Sequence, residues 1–246
     1  QGQGPDTGRY KQHGRSILTS SHTGTAPGDY YLCLPLRYNY GGYSVTYNFI
    51  PCAIANDMAG NDTWENATLI ENGTTTQGRL GYDYSNSNDT QDWYQFIMPA
   101  DGSASFTICS EKTLTLGCAT IYALNADGTG TVSRTSQWLD YPGDTLVFHK
   151  DDLAAGTYYL YMPHRGGYGG YTVKSTFTKN PFYQEKLGNT DFATRIVLEE
   201  GVGVQGTLGY GYRGSDEATQ AWFDLGVMHG RQIDMNIIVE GSHSLS

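Results

Sequence analysis

Two stretches of this chain, 128 residues apart, are near copies of one another. Residues 26–45 read APGDYYLCLPLRYNYGGYSV, and residues 154–173 read AAGTYYLYMPHRGGYGGYTV. The match continues through Asn61/Asn189, Trp64/Phe192, Gly73/Gly201 and Gly78/Gly206, and LGYDY at 80 faces LGYGY at 208. After one inserted residue, DWYQF at 92 aligns with AWFDL at 221. A period of this length is the size of a globular domain, so the chain is a tandem of domains rather than a solenoid of short repeats.

The phase of the repeat constrains the fold further. Residues 61–178 contain one whole unit, residues 1–52 match the C-terminal half of such a unit, and residues 189–246 match the N-terminal half. Residues 53–60 and 179–188 are expected to be linkers. A half-unit cannot bury its core. Its apolar strand faces and unpaired backbone edges are costly in water and recruit further strands.

Period-two alternation is common and helical periodicity nearly absent. Phe106 and Ile108, and their counterparts Met235 and Ile237, sit at every second position. TYYLYMP and GYTVKSTF read as a hairpin around HRGGYGG, and NADGTG at 125 and DYPGD at 140 read as turns. The expected class is all-β: tandem jelly-roll-like antiparallel sandwiches, one complete and two half-domains. The four tryptophans, Trp64, Trp93, Trp138 and Trp222, are expected mostly in the core. The Tyr-Gly segments, with Tyr38, Tyr40, Tyr43, Tyr168 and Tyr171, suit either packing over a turn or a sugar- or protein-contacting surface.

Composition narrows the function classes. Charged residues make up only 16%, while the chain holds 32 Gly and 20 Tyr, which suits an extracellular or cell-surface β-protein. A net charge of −10 with no basic run argues against nucleic acid. No apolar stretch reaches the ~18–20 residues of a membrane span. Gln1 at the start is read as a processed chain or an internal fragment, so the lack of a leader excludes no export route. The four cysteines have no zinc-like spacing. The preferred pairing among three possible is Cys33–Cys52 and Cys109–Cys118, because Cys33 and Cys52 are replaced together, by Tyr161 and Asn180, in the other copy. Four buried free thiols are the alternative.

NDTWENATLI, the NGTTTQG turn, DTQDWYQFIMPADG, LAAGTYYLYM and GGYTV together resemble the bacterial pre-peptidase C-terminal domain. The resemblance covers residues 61–177 and, in part, the two flanking halves. It implies a small jelly-roll-like sandwich appended to secreted hydrolases and surface proteins, non-catalytic, serving adhesion, secretion or stability. It also implies calcium at the acidic start of the domain in some members, and binding to collagen-like fibres in others.

By that resemblance Asn61 and Asp62 approach Asp89 and Asp92, with Asp57 as a further donor. Calcium needs six to eight oxygens of this kind; no cofactor is required, and calcium is the one considered. Turn formation is the competing role for these residues. In the C-terminal copy Asn61, Asp62 and Asp92 become Asn189, Thr190 and Ala221. Asn61, Asn66, Asn72 and Asn88 begin N-x-S/T acceptor sequences for glycosylation. GVGVQG at 201 fits a dinucleotide fingerprint only by spelling, because neither copy opens a helix there. No G-x-S-x-G, no HExxH and no Ser/His/Asp set recurs between copies, so no enzyme is expected.

Two functions remain. The first is an extracellular structural subunit that polymerises head-to-tail by completing a split sandwich. Tyr30, Leu32, Leu34, Val45, Tyr47 and Phe49 of one copy would meet Ile233, Met235, Ile237 and Val239 of another. The second is a non-catalytic binding or adhesion module from a larger secreted protein, with glycans or extracellular matrix as partners.

Overall fold

The computed structural model describes residues 19–23, 25, 28–35, 40–51, 60–84, 87–124, 131–139, 141–183, 188–211, 219–227, 230 and 232–239. Among these there is no α-helix, hence none long and apolar enough to cross a membrane. After a 3-10 turn at Trp64–Asn66 come β1 (Thr68–Leu69), β2 (Thr75–Leu80), β3 (Asp83–Tyr84), β4 (Ser87–Asn88), β5 (Gln91–Met98), β6 (Gly102–Ser110) and β7 (Leu114–Leu116). Then follow β8 (Cys118–Leu124), β9 (Thr131–Trp138), β10 (Thr145–Leu153), β11 (Gly156–Gly167), β12 (Gly169–Lys179), β13 (Ile196–Val197) and β14 (Phe223–Asp224).

The central unit is a two-sheet β-sandwich. One sheet runs β1-β5-β11-β8-β9 with β7 added to β11, and the other runs β10-β6-β12-β2. The alternation places Tyr94, Phe96 and Met98 of β5 inward against Ala104, Phe106 and Ile108 of β6, all buried. Phe96 sits at the centre, with ring centroids 5.1 Å from Phe106, 5.5 Å from Tyr158 and 5.2 Å from Phe177. Truncating such a ring typically costs about 3–5 kcal/mol.

Several expectations change. TYYLYMP and GYTVKSTF do form strands, but not a hairpin: β11 lies in one sheet and β12 in the other, and the chain crosses between them at Tyr168. Of the DYPGD turn, residues 141–144 form a turn, with Gly143 at φ 78° and the Asp144 amide donating to the Tyr141 carbonyl. NADGTG lies outside the described residues. None of the four tryptophans is core, since Trp138 and Trp222 are exposed and Trp64 and Trp93 only half-buried. The segment expected to link units at 179–188 starts inside the fold: Lys179 ends β12 and Asn180 is buried.

The cysteine pairing is corrected too. Cys33, Cys109 and Cys118 are free thiols, and Cys52 lies outside the described residues. Cys109 and Cys118 sit on strands of opposite sheets, and the Cys109 sulfur instead faces the Thr145 hydroxyl at 3.4 Å.

The described residues of the flanking segments repeat local geometry without closing a core. The parallel pairing of Thr68 with Tyr94 in β1–β5 recurs as Ile196 with Phe223 in β13–β14. The Trp93 amide donates to the Asn61 carbonyl at 2.8 Å, and Trp222 does so to Asn189 at 2.8 Å. Among the described residues of 28–50 the expected strands are not formed. Their counterparts β11 and β12 each lie between two paired neighbours, whereas the described residues of this segment have no ladder partner. The ten residues expected at the assembly interface are all exposed: Tyr30, Leu32, Leu34, Val45, Tyr47, Phe49, Ile233, Met235, Ile237 and Val239.

Candidate functional site

The central unit has two distinct chemical surfaces, and both begin on β5. The first is acidic. The 3-10 turn and its approach carry Asn61 and Asp62, and the entry to β5 carries Asp89 and Asp92. Carboxylate oxygens of Asp62, Asp89 and Asp92 lie within 4.8 Å of one another. Asp62 is exposed and Asp92 buried, so the cluster runs from solvent into the sandwich. An all-oxygen donor set of three carboxylates matches the preference of a hard divalent cation such as calcium.

Asn61 stands beside this cluster in a structural role. It is buried, its carbonyl accepts the Trp93 amide, and its Nδ2 donates to the Trp93 carbonyl at 3.5 Å. Gln91 Nε2 donates to the Asp62 carbonyl at 2.6 Å. In the C-terminal copy Asn189 Nδ2 donates to Trp222 O at 3.2 Å and Gln220 Nε2 to Thr190 O at 3.0 Å. The loop therefore forms without acids at the Asp62 and Asp92 positions. Their presence in the complete unit is not a folding requirement of this loop. Asp57 lies outside the described residues.

Asp92 also reaches into the core. Its Oδ2 accepts the Tyr171 hydroxyl, which lies 2.7 Å from the Tyr94 hydroxyl. Burial pushes the Tyr171 phenol well above the usual tyrosine range, and Tyr94 and Asp92 add to that shift.

The second surface is aromatic and was not found from the sequence. On the outer face of the six-stranded sheet, β5 presents Gln91, Trp93 and Gln95. In β11 the matching positions are Tyr159 and Tyr161, and in β8 they are Thr120 and Tyr122. Tyr161 is opposite Trp93 on one side and Thr120 on the other, and Tyr159 is opposite Gln95 and Tyr122. The Trp93 ring lies 4.7 Å from Tyr161 and 5.6 Å from Tyr122, while Trp64 stands perpendicular to Tyr159 at 6.1 Å. The Tyr161 hydroxyl donates to Gln91 Oε1 at 3.2 Å, and burial, with Tyr122 adding, raises its pKa. Strand parity carried this signal: in QDWYQFIM the positions of Tyr94 and Phe96 are inward, so Trp93 must face out.

The expected glycan acceptors divide. Asn61 is removed from the set, because a buried, hydrogen-bonded amide cannot carry a sugar. Asn66 and Asn72 are exposed, although Asn72 Nδ2 donates to the Phe177 carbonyl at 3.1 Å. The side chain of Asn88 lies outside the described residues.

No protein-family model matches the chain, and no curated protein matches it. Three solved domains are similar over most of their own length. The pre-peptidase C-terminal domain of collagenase from Bacillus anthracis is 18% identical, with 45% of this chain and 94% of that one covered and a TM-score of 0.34. The K1 cleaved adhesin domain of Lys-gingipain from Porphyromonas gingivalis is 14% identical, covering 50% and 81%, with a TM-score of 0.31. Chitosan-binding module 1 of a chitosanase/glucanase from Paenibacillus is 15% identical, covering 44% and 95%, with a TM-score of 0.25. The first belongs to the family that the motifs of residues 61–177 resemble.

A pH prediction follows from Tyr171. Its folded pKa lies above its unfolded value. The corresponding stability is therefore complete below pH ~10 and is lost as pH rises from there toward the folded pKa. Urea midpoints across alkaline pH should fall more steeply for the natural chain than for Tyr171→Phe. Equal slopes would remove Tyr171 from the account.

Proposed function

We propose that the chain is a non-catalytic binding module of an extracellular or cell-surface protein, and that the aromatic outer face of the six-stranded sheet is its contact surface. The carrying observation is the contrast between the two outer faces. The four-stranded sheet presents Ser103, Ser105, Thr107, Thr172, Lys174 and Thr176 to solvent. The other sheet presents Trp93, Tyr122, Tyr159 and Tyr161 among Gln91 and Gln95. Rigid amphipathic rings give contact area at low entropic cost.

Outward positions from Gln91 to Ile97 and from Thr157 to Pro163 hold no charged residue, in a chain of net charge −10. That supports an uncharged ligand. Neutral glycans fit: sugar C–H faces stack on rings while amides and hydroxyls meet the sugar hydroxyls. The non-catalytic reading draws on the copies themselves. His149 and His164 fall opposite Ser21 and Leu36 in the repeat, so no histidine-based set is duplicated.

Calcium is proposed as an accessory ion held by Asp62, Asp89 and Asp92. It would supply charge compensation for three carboxylates and fix the loop before β5.

A second reading concerns the flanking halves. Their apolar positions, from Tyr30 to Phe49 and from Ile233 to Val239, are exposed. They would be closed by strands equivalent to those of the complete unit, supplied either by further sequence or by a second copy. Head-to-tail assembly is the second-copy case.

Three measurements test these readings. Trp93→Ala and Tyr161→Ala should each weaken binding to soluble glucan, xylan or mannan about tenfold or more, while Lys174→Ala changes nothing. Binding to gelatin instead would reassign the face to protein matrix, and no binding to either would sink the proposal. Calcium at ~100 times its dissociation constant should raise stability by about 2.7 kcal/mol, and Asp62→Ala should abolish that rise; identical melting in calcium and in chelator would exclude the ion. In sedimentation, polymers that vanish with Met235→Asp support the second-copy case, and a monomeric natural chain refutes it.

A further inference from the structure

One end of the complete sandwich is already occupied by the following repeat. Residues 201–206 are exposed, but 207–210 are half-buried and Gly211 is buried. This segment seats on the loops that join β5 to β6 and β10 to β11, and on the end of β12. Asp101, itself 4% exposed, accepts the Ala155 amide at 2.9 Å on one carboxylate oxygen and the Thr207 hydroxyl at 2.7 Å on the other. Asn180, 8% exposed, donates through Nδ2 to the Tyr210 hydroxyl at 2.6 Å. Leu153 and Gly211 form a parallel bridge. The Tyr158 hydroxyl faces the carbonyls of Ala154 at 3.0 Å and Gly211 at 3.3 Å.

We propose that this is a recognition joint between consecutive repeats, in which the end of one sandwich binds the T-L-G-Y-G segment of the next and fixes their relative orientation. The joint is built rather than incidental. A carboxylate is rarely buried without partners, and Asp101 divides its two oxygens between the repeats. The docking segment also has a fixed shape: Gly209 holds φ 80°, and its counterpart Gly81 holds φ 81°. Its aromatic anchor recurs as well, Tyr210 matching Tyr82 and Tyr158 matching Tyr30.

The polar pairs are particular to this joint. Thr207 and Asn180 correspond to Arg79 and Cys52 one repeat earlier, so the hydroxyl–carboxylate and amide–phenol pairs are not reused there. Repeats that share a scaffold but differ in joint chemistry discriminate which neighbour docks on which end, because a mismatched neighbour leaves Asp101 with an unmade hydrogen bond. The joint is independent of the ligand face, and it holds that face at a set angle to the next repeat.

Amide hydrogen exchange on the full chain tests this. The Ala154 amide donates to Gly211 O and the Gly211 amide to Asp152 O, so both report the joint directly. In Thr207→Val and in Asn180→Ala, exchange at these two amides should speed up roughly tenfold or more, while Ile108 and Val173 in the core stay protected. Thr207→Ser, which keeps the hydroxyl, should restore protection. Unchanged exchange at Ala154 and Gly211 would overturn the joint. So would a loss spread equally over the core amides, which would make Thr207 part of general folding.

Discussion

The sandwich depends on a polar link between its two sheets. Asp92 and Tyr94 lie on β5 of one sheet and Tyr171 on β12 of the other, and the three are joined by hydroxyl contacts inside the core. The two rings stand nearly perpendicular with centroids 6.4 Å apart. A buried carboxylate and two buried phenols are tolerated only where their polar atoms meet one another. Room for them comes from Gly78 on β2, opposite Tyr171: a Cβ there would lie 2.5 Å from both hydroxyl oxygens. In the C-terminal copy Asp92 becomes Ala221 and Tyr94 becomes Phe223. The two β5 members of the link are thus exchanged together in that copy, in keeping with the cost of leaving a buried polar group without its partner. The same Asp92 belongs to the acidic cluster, so that cluster is anchored in the core and not on a loose loop.

Much of the scaffold was legible in the sequence, because strand parity is a local property. Phe106 and Ile108 were placed inward from their spacing, and they are the residues that face β5. The resemblance implied that the segment before β1 would meet the start of β5, and Asn61–Trp93 and Asn189–Trp222 do so in both copies. What parity could not give was the sheet to which a strand belongs. β11 and β12 flank a glycine-rich turn as a hairpin would, yet they part to opposite sheets, because β11 is claimed by β5 and β8 and β12 by β6 and β2. The 109–118 cysteine pairing failed for the same reason: nearness along the chain does not imply a shared sheet.

The aromatic face was hidden by a habit about residue types. Tryptophan is read as core because it is large and apolar. Applied strictly to QDWYQFIM, period two leaves no choice: with Tyr94 and Phe96 inside, Trp93 is outside. Its neighbours Tyr122, Tyr159 and Tyr161 come from strands far apart in sequence, so only sheet order shows that they form one patch. The acidic trio was easier, since Asp62, Asp89 and Asp92 were drawn together by resemblance before geometry was known.

Comparison of the copies separates scaffold from decoration. Features present in both, the Asn–Trp clasp, the Gln-to-carbonyl bond and the short parallel pair, form even where, among the described residues, the rest of the sandwich does not. Features present in one must answer to something else. Tyr161 becomes Cys33, and Asp62 becomes Thr190. The aromatic face keeps its tryptophan at Trp222 but loses its tyrosine at Cys33, and the cluster loses two carboxylates. The Asn189–Trp222 loop forms without two of the three acids, so that loop does not require them. In the complete unit those acids are left to serve the proposed ion, as Trp93 and Tyr161 serve the proposed ligand face.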